Sequence, residues 1–243
     1  VKAKDGVILA TGGFAANPEM VQEHNTSGKW DDLSKVSTTN RFSSSQGDGI
    51  VMAEKAGADL VDMDQIQLLY LGNTQNGQLT KYPPRDVNGT DQIIFINKEG
   101  KRFVREDGRR DDISKATLAQ TDGMFYMLES GDGEGYKDIK DPEWRSADGF
   151  TLDYLKDNVY IFVGDTLEEI AKQIGCDVKD LQETIDTFNA SVDSGKDEFG
   201  RTLYSTKLEN GPWIATARQA SIHHTMGGVR IDTTARVLDK DGK

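Results

Sequence analysis

The sequence is poor in the residues that make covalent or metal staples. Its 243 residues include one cysteine, Cys176, which excludes an internal disulfide and any site built from several cysteines. Three histidines, His24, His223 and His224, leave little for a zinc site. No apolar run approaches the roughly 18 residues of a membrane-spanning helix. A charged start followed by an apolar stretch, the mark of a secretory signal, is missing as well. Cations are the minority: 29 Lys and Arg against 41 Asp and Glu leave a net charge of −12, which argues against nucleic acid and against an anionic membrane surface as partners. The dinucleotide fingerprint Gly-x-Gly-x-x-Gly occurs nowhere, and there are no internal repeats. Val1 enters what reads as a strand and Val237–Lys243 reads as a hairpin turn, so the expectation is a segment of a longer protein.

A hydrophobic share of 36% beside 29% charged residues suits a globular chain with a sizeable core. Val7–Ala10 before Thr11-Gly12-Gly13 predicts a buried strand and a tight turn. Asn17 and Pro18 predict a helix over 17–23. Residues 31–47 read as a long polar loop, after which Gly47-Asp48-Gly49 opens a helix that Gly57 ends. Leu60–Leu71 reads as extended chain and 72–92 as loop. Ile93–Ile96, a turn over 97–100 and Lys101–Val104 predict a hairpin. A helix over 111–120, strands at 124–128 and 160–163, and a polar excursion over 130–148 follow. Thr166 and Glu169 form a capping box for a helix that Gly175 stops. Val178, Leu181, Ile185, Phe188 and Val192 recur at helical spacing between Asp177 and Gly195, predicting an amphipathic helix. Strands at 213–217 and 229–231 come next, and 236–239 begins another. Helices and strands mix without regular βαβ alternation, so the fold class is α+β.

Four constellations could carry chemistry. Thr11-Gly12-Gly13 after a strand lets backbone approach a flat or phosphorylated ligand, or serves packing alone. Gly47-Asp48-Gly49 offers a helix start to a polar cofactor edge, with Asp48 either accepting from the cofactor or capping the helix. The charged run Arg102, Arg105, Glu106, Arg109, Arg110, Asp111, Asp112 is either a solvated face or one guanidinium in a cleft, held by carboxylates and meeting an anionic substrate. His223 and His224 adjoin in a strand, so alternation places them on opposite faces, where both cannot serve one site.

In this order, Leu9-Ala10-Thr11-Gly12-Gly13-Phe14, Gly47-Asp48-Gly49, Ile96-Asn97-Lys98-Glu99-Gly100-Lys101-Arg102-Phe103-Val104, Arg110-Asp111 and His223-His224-Thr225-Met226-Gly227-Gly228 resemble the flavoprotein subunit family of fumarate reductases and succinate dehydrogenases. The similarity is to its soluble flavocytochrome and urocanate-reductase-like branch and runs through nearly the whole chain. It implies a capping, substrate-clamping domain over 76–222, flanked by pieces of an FAD-binding domain at 1–75 and 223–243. The family's nucleotide motif and its Asn-Arg-Leu-Gly-Gly segment fall outside this chain, which implies absent or weak FAD binding by the segment alone.

The resemblance implies that flavin reduces an activated C=C bond of a small unsaturated carboxylate. Arg110 matches the family's proton donor, and Asp86 stands where the family has its relay glutamate. His223 matches the carboxylate-binding histidine, Asp48 a flavin contact; Thr11, Gly12, Gly13, Gly47, Gly49 and His224 accompany it around the cofactor. A haem- or FMN-carrying electron donor is implied as a partner, with the compartment left open between cytoplasm and cell envelope. The family's substrate histidine is replaced by Leu69, beside Tyr70, and its threonine and relay arginine also fail to match at Arg85 and Gly89. A carboxylate buried without a partner costs several kcal/mol. The departure therefore favours a urocanate- or aryl-acrylate-like substrate with an apolar second end over fumarate. Two other readings stand beside this one: a capping module with no activity of its own, and a ketosteroid-dehydrogenase-like flavoenzyme, against which the His-His-Thr-Met-Gly-Gly run and Arg110 speak.

Overall fold

The computed structural model describes residues 3–40, 44–79, 92–131, 133, 141–146, 149–158, 160–204 and 206–243. The chain forms two compact units, Val1–Leu69 with Ser221–Lys243, and Tyr70–Ala220. The change-overs fall inside two strands, β2 (Ile66–Gly72) and β6 (Trp213–Thr225).

The second unit is built on an antiparallel sheet. Strand β3 (Ile93–Ile96) pairs with β4 (Met124–Glu129), with Ile94 opposite Leu128. Strand β4 pairs in turn with β6, Phe125 opposite Arg218, and β6 also pairs with β5 (Ile161–Gly164). Period-two alternation sorts the apolar side chains onto two faces. Ile94, Ile96, Tyr126, Leu128, Ala215 and Ala217 meet two helices, α5 (Leu167–Ile174) and α6 (Val178–Ser194). Ile93, Phe95, Phe125 and Met127 face the other way, against Tyr70 and Ile113 of α3 (Arg110–Leu118).

Both helices on the first face end as their sequence dictates. Thr166 Oγ1 accepts from Glu169 N at 3.3 Å, and Glu169 Oε2 accepts from Asp165 N at 2.7 Å. Asp177 caps α6, and Gly175 and Gly195 close the two helices in left-handed backbone. A short helix, α4 (Leu152–Asp157), capped by Thr151, lies where no helix is predicted. The predicted hairpin does not form. Lys101–Val104 makes only an isolated bridge, Ile96 to Arg102, because Asn97 Oδ1 gathers the Glu99 and Lys101 amides and Arg102 turns inward to an ion pair. Most of the excursion over 130–148 lies outside the described residues.

In the first unit, α1 (Pro18–Glu23) is capped by Asn17, and α2 (Asp48–Lys55) is followed by Gly57 in left-handed backbone. A short ladder joins β1 (Leu60–Val61) to β7 (Gly228–Val229). Residues 231 and 237 close a turn of their own. The segment Val7–Ala10 is not a buried strand. No described strand pairs with it, and Val7, Ile8 and Leu9 are 76%, 94% and 37% exposed. Among the described residues no helix is long and apolar enough to cross a membrane.

Candidate active site

Three segments distant in sequence meet in the first unit. Gly47 N–H donates to Gly13 O at 3.1 Å, and Phe14 N–H donates to Thr225 Oγ1 at 3.0 Å. A Cβ on Gly13 would collide with the Thr225 hydroxyl, and one on Gly49 with the Thr11 hydroxyl. A Cβ on Gly47 would meet Met20 Sδ at 2.5 Å. Room at Gly13, Gly47 and Gly49 is therefore taken up by protein, so each of these glycines has a packing reason. Thr11, Gly12, Asp48 and His224 are the exposed members of the set. Asp48 does not cap α2, because Gly47 occupies the N-cap with no side chain to offer. The first-turn amides and the Asp48 carboxylate thus have no local side-chain cap between them, which fits a polar cofactor edge at this end of the helix.

The histidine pair corrects the alternation argument. The His223 and His224 rings lie side by side, 4.1 Å between centroids and tilted by 53°. Both lie within β6, which runs on to Thr225, so backbone alternation does not keep the two rings apart. The polar loop before α2 reaches this end. Thr39 N donates to Ile222 O at 2.9 Å, Thr39 Oγ1 lies 2.6 Å from His223 Nδ1, and Asn40 Nδ2 donates to His223 O at 2.9 Å. Thr39 and Asn40 were not among the predicted site residues. Their only signal in the sequence is the richness of that loop in Ser, Thr and Asn.

The charged run after β3 splits in the second unit. Arg102 is the buried guanidinium: Nε and Nη2 donate to Glu106 at 2.8 and 2.7 Å, and Nη1 donates to Asp197 at 2.7 Å. Arg201 joins from the loop after α6, 3.4 Å from Glu106 and donating to Ile93 O at 2.8 Å. Two guanidinium groups and two carboxylates balance, and Phe188 and Phe199 flank them. Burial pulls the Arg102 pKa down, but Glu106 and Asp197 outweigh it and hold the group above arginine's ordinary range. Burial lowers the Arg201 pKa with less compensation. Burial raises Asp197, yet Arg102 and backbone amides leave it below the usual carboxylate value. The carboxylate-held arginine of the sequence argument is thus Arg102 rather than Arg110. Arg110 begins α3 and is exposed, as is Arg109.

Leu69 and Tyr70 are both buried. The Tyr70 ring packs 5.5 Å from Phe95 and 6.3 Å from Phe125, so its body serves the core. Asp86 lies outside the described residues, as do Arg85 and Gly89. Arg110 and His223 fall in different units. Among the described residues no group of His, Cys, Asp and Glu could hold a metal ion.

A family model described as an FAD binding domain matches residues 1–243, which places the chain in the FAD-binding class of domains. Over 98% of its length the chain is 40% identical to an NADH:acrylate oxidoreductase of Vibrio harveyi, covering 22% of that protein. It is 39% identical to a urocanate reductase of Eggerthella lenta over 99% of the chain and 38% of the relative. A solved flavocytochrome c3 fumarate reductase in its open conformation matches with a TM-score of 0.74 at 31% identity, over 98% of this chain and 38% of that one. The chain belongs to the fumarate reductase-like flavoprotein family. It spans between about a fifth and two fifths of the length of these relatives.

Proposed function

We propose that the protein containing this chain uses FAD to reduce the C=C bond of an α,β-unsaturated carboxylate. What supports this reading is that Thr225, two residues after His223, meets the Gly13 turn, which in turn meets the α2 start, so the residues the reading gives to cofactor and to carboxylate share one unit. The names of the relatives, acting on acrylate, urocanate and fumarate, support the substrate class.

Thr11, Gly12, Asp48 and His224 are the residues that hold the flavin edge, and Gly13, Gly47 and Gly49 act behind them by letting the turn and helix start pack that closely. Reduced flavin, when bound and recharged by an electron donor, would supply the hydride. His223 binds the substrate carboxylate and draws electron density from the alkene, stabilising the negative charge that develops during reduction. Arg110 donates a guanidinium proton to the second alkene carbon, and Asp86 returns a proton to it. Arginine acts as an acid only in a dry site, because its ordinary pKa is above ~12. Closure over the substrate is therefore part of the reading. Leu69 and Tyr70 present an apolar second end, which favours an acrylate, urocanate or aryl acrylate over fumarate. The segment by itself is a capping module with weak FAD binding; a purified segment free of flavin absorbance is the expected outcome.

The test is Arg110→Gln in the full-length protein. Turnover is expected to fall about 10²- to 10⁴-fold, the range for loss of a general acid, with flavin absorbance retained. Near-wild-type turnover in that variant overturns the proton-donor role. Fumarate reduced much faster than acrylate and urocanate overturns the apolar second end.

A further inference from the structure

The loop segment 37–40 is tied to the histidine strand by a set of hydrogen bonds that fixes where one proton goes. Ile222 O accepts from Thr39 N at 2.9 Å and lies 3.2 Å from Thr38 Oγ1. Thr38 Oγ1 in turn accepts from Asn40 N at 3.1 Å, so its own hydroxyl proton is the one directed at Ile222 O. A carbonyl oxygen has two lone pairs, and these two donors use both. Thr39 Oγ1 lies 3.4 Å from that same oxygen but 2.6 Å from His223 Nδ1. Of its two neighbours Nδ1 is much the nearer, and to that contact we assign its single proton. An imidazole that accepts at Nδ1 carries its proton on Nε2 when neutral.

We propose that Thr39 is the positioning residue for His223: its hydroxyl donates to Nδ1 and holds the ring as the neutral tautomer whose Nε2–H meets the substrate carboxylate. This rests on the reading that His223 binds that carboxylate. Asn40, donating to His223 O at 2.9 Å, holds the backbone of the same residue, so His223 is held at both its main chain and Nδ1. Its partner on the other side, the His224 ring at 4.1 Å, limits rotation about the side-chain bonds. Thr39 acts through His223 and touches no reacting atom.

The test uses the full-length holoenzyme, with the fastest of acrylate, urocanate and fumarate as probe. Thr39→Val removes the donor at nearly constant volume, and Thr39→Ser restores it. In Thr39→Val the KM is expected to rise about tenfold, roughly one hydrogen bond's worth, with kcat within about twofold. Solid-state ¹⁵N spectra of ring-labelled histidine, differenced against His223→Gln, should show an unprotonated Nδ1 in the wild type. That signal should be lost in Thr39→Val and recovered in Thr39→Ser. A protonated Nδ1 in the wild type overturns the proposal. So does an unchanged KM in Thr39→Val when His223→Ala raises it. An unchanged KM in His223→Ala instead sinks the carboxylate role of His223, while the nitrogen spectra still decide whether Thr39 sets the tautomer.

Discussion

Arg102→Ala is the perturbation whose size the structure fixes best. Arg102 makes three hydrogen bonds of 2.7–2.8 Å to Glu106 and Asp197, and all three side chains are buried. Removing it leaves Asp197 with the amides of Phe199 and Arg201, at 3.0 and 3.1 Å. Glu106 keeps the Phe95 amide at 3.2 Å and Arg201 at 3.4 Å. One net negative charge is stranded in a dry site, and breaking such a buried pair costs about 3–5 kcal/mol. For a unit of this size each kcal/mol moves Tm by about 2–4 °C, so the expected loss is roughly 6–20 °C. Differential scanning calorimetry of the chain reads this directly. Arg102→Lys should recover only part of the loss, because one ammonium cannot serve two carboxylates with a planar fork. Lys98→Ala, which breaks the exposed pair with Asp122, should leave the transition almost unmoved. A Tm for Arg102→Ala within about 2 °C of wild type would falsify the account of this cluster as a tie between the α3 approach and the loop after α6.

The same cluster and its neighbour Asp107, which accepts from Arg105 and from the Thr202 and Leu203 amides, give a pH dependence. Asp197 and Asp107 have folded pKa values below their unfolded ones, so their contribution is complete above about pH 4 and is lost as the pH falls through the folded values; urea midpoints at pH 7 and pH 3 check the sign. Gly13→Ala drives a methyl into the Thr225 hydroxyl and should destabilise the first unit by about 1–3 kcal/mol in urea titration. Thr166→Ala should cost about 1 kcal/mol through the lost cap, whereas Asp48→Asn, at a position that does not cap, should leave helix stability unchanged by circular dichroism.

Much of the second unit is legible in the sequence because its signals are local. Thr166, Asp177, Gly175 and Gly195 mark helix ends through bonds within four residues, and Ile93–Ile96 and Met124–Leu128 are short unbroken apolar runs, the mark of strands buried on both faces. What escapes reading is non-local. Arg102 and Arg110 look alike in sequence, and the pocket that draws Arg102 inward is completed by Asp197, 95 residues away, beside the nearby Glu106. Val7–Leu9 has the composition of a core strand, but burial needs neighbours that composition does not name. The role of Thr39 depends on Ile222 and His223, more than 180 residues on. The histidine alternation misled because side-chain torsions, which the strand pattern does not fix, bring the two rings together within β6.

The Gly13–Thr225 contact also orders events at the ribosome. The first unit cannot complete its hydrogen bonds until Thr225 has been synthesised, since Phe14 has its side-chain acceptor there and Ser37 its partner in Ile222. The whole of Tyr70–Ala220 emerges in the interval. At synthesis rates of about 5–20 residues per second, the residues of this unit made before Tyr70 wait many seconds for their last partners while the inserted unit can already fold. Slowing translation within 70–220 should therefore lengthen the exposure of Phe14 and Val21 to proteases and chaperones, and leave the inserted unit unaffected.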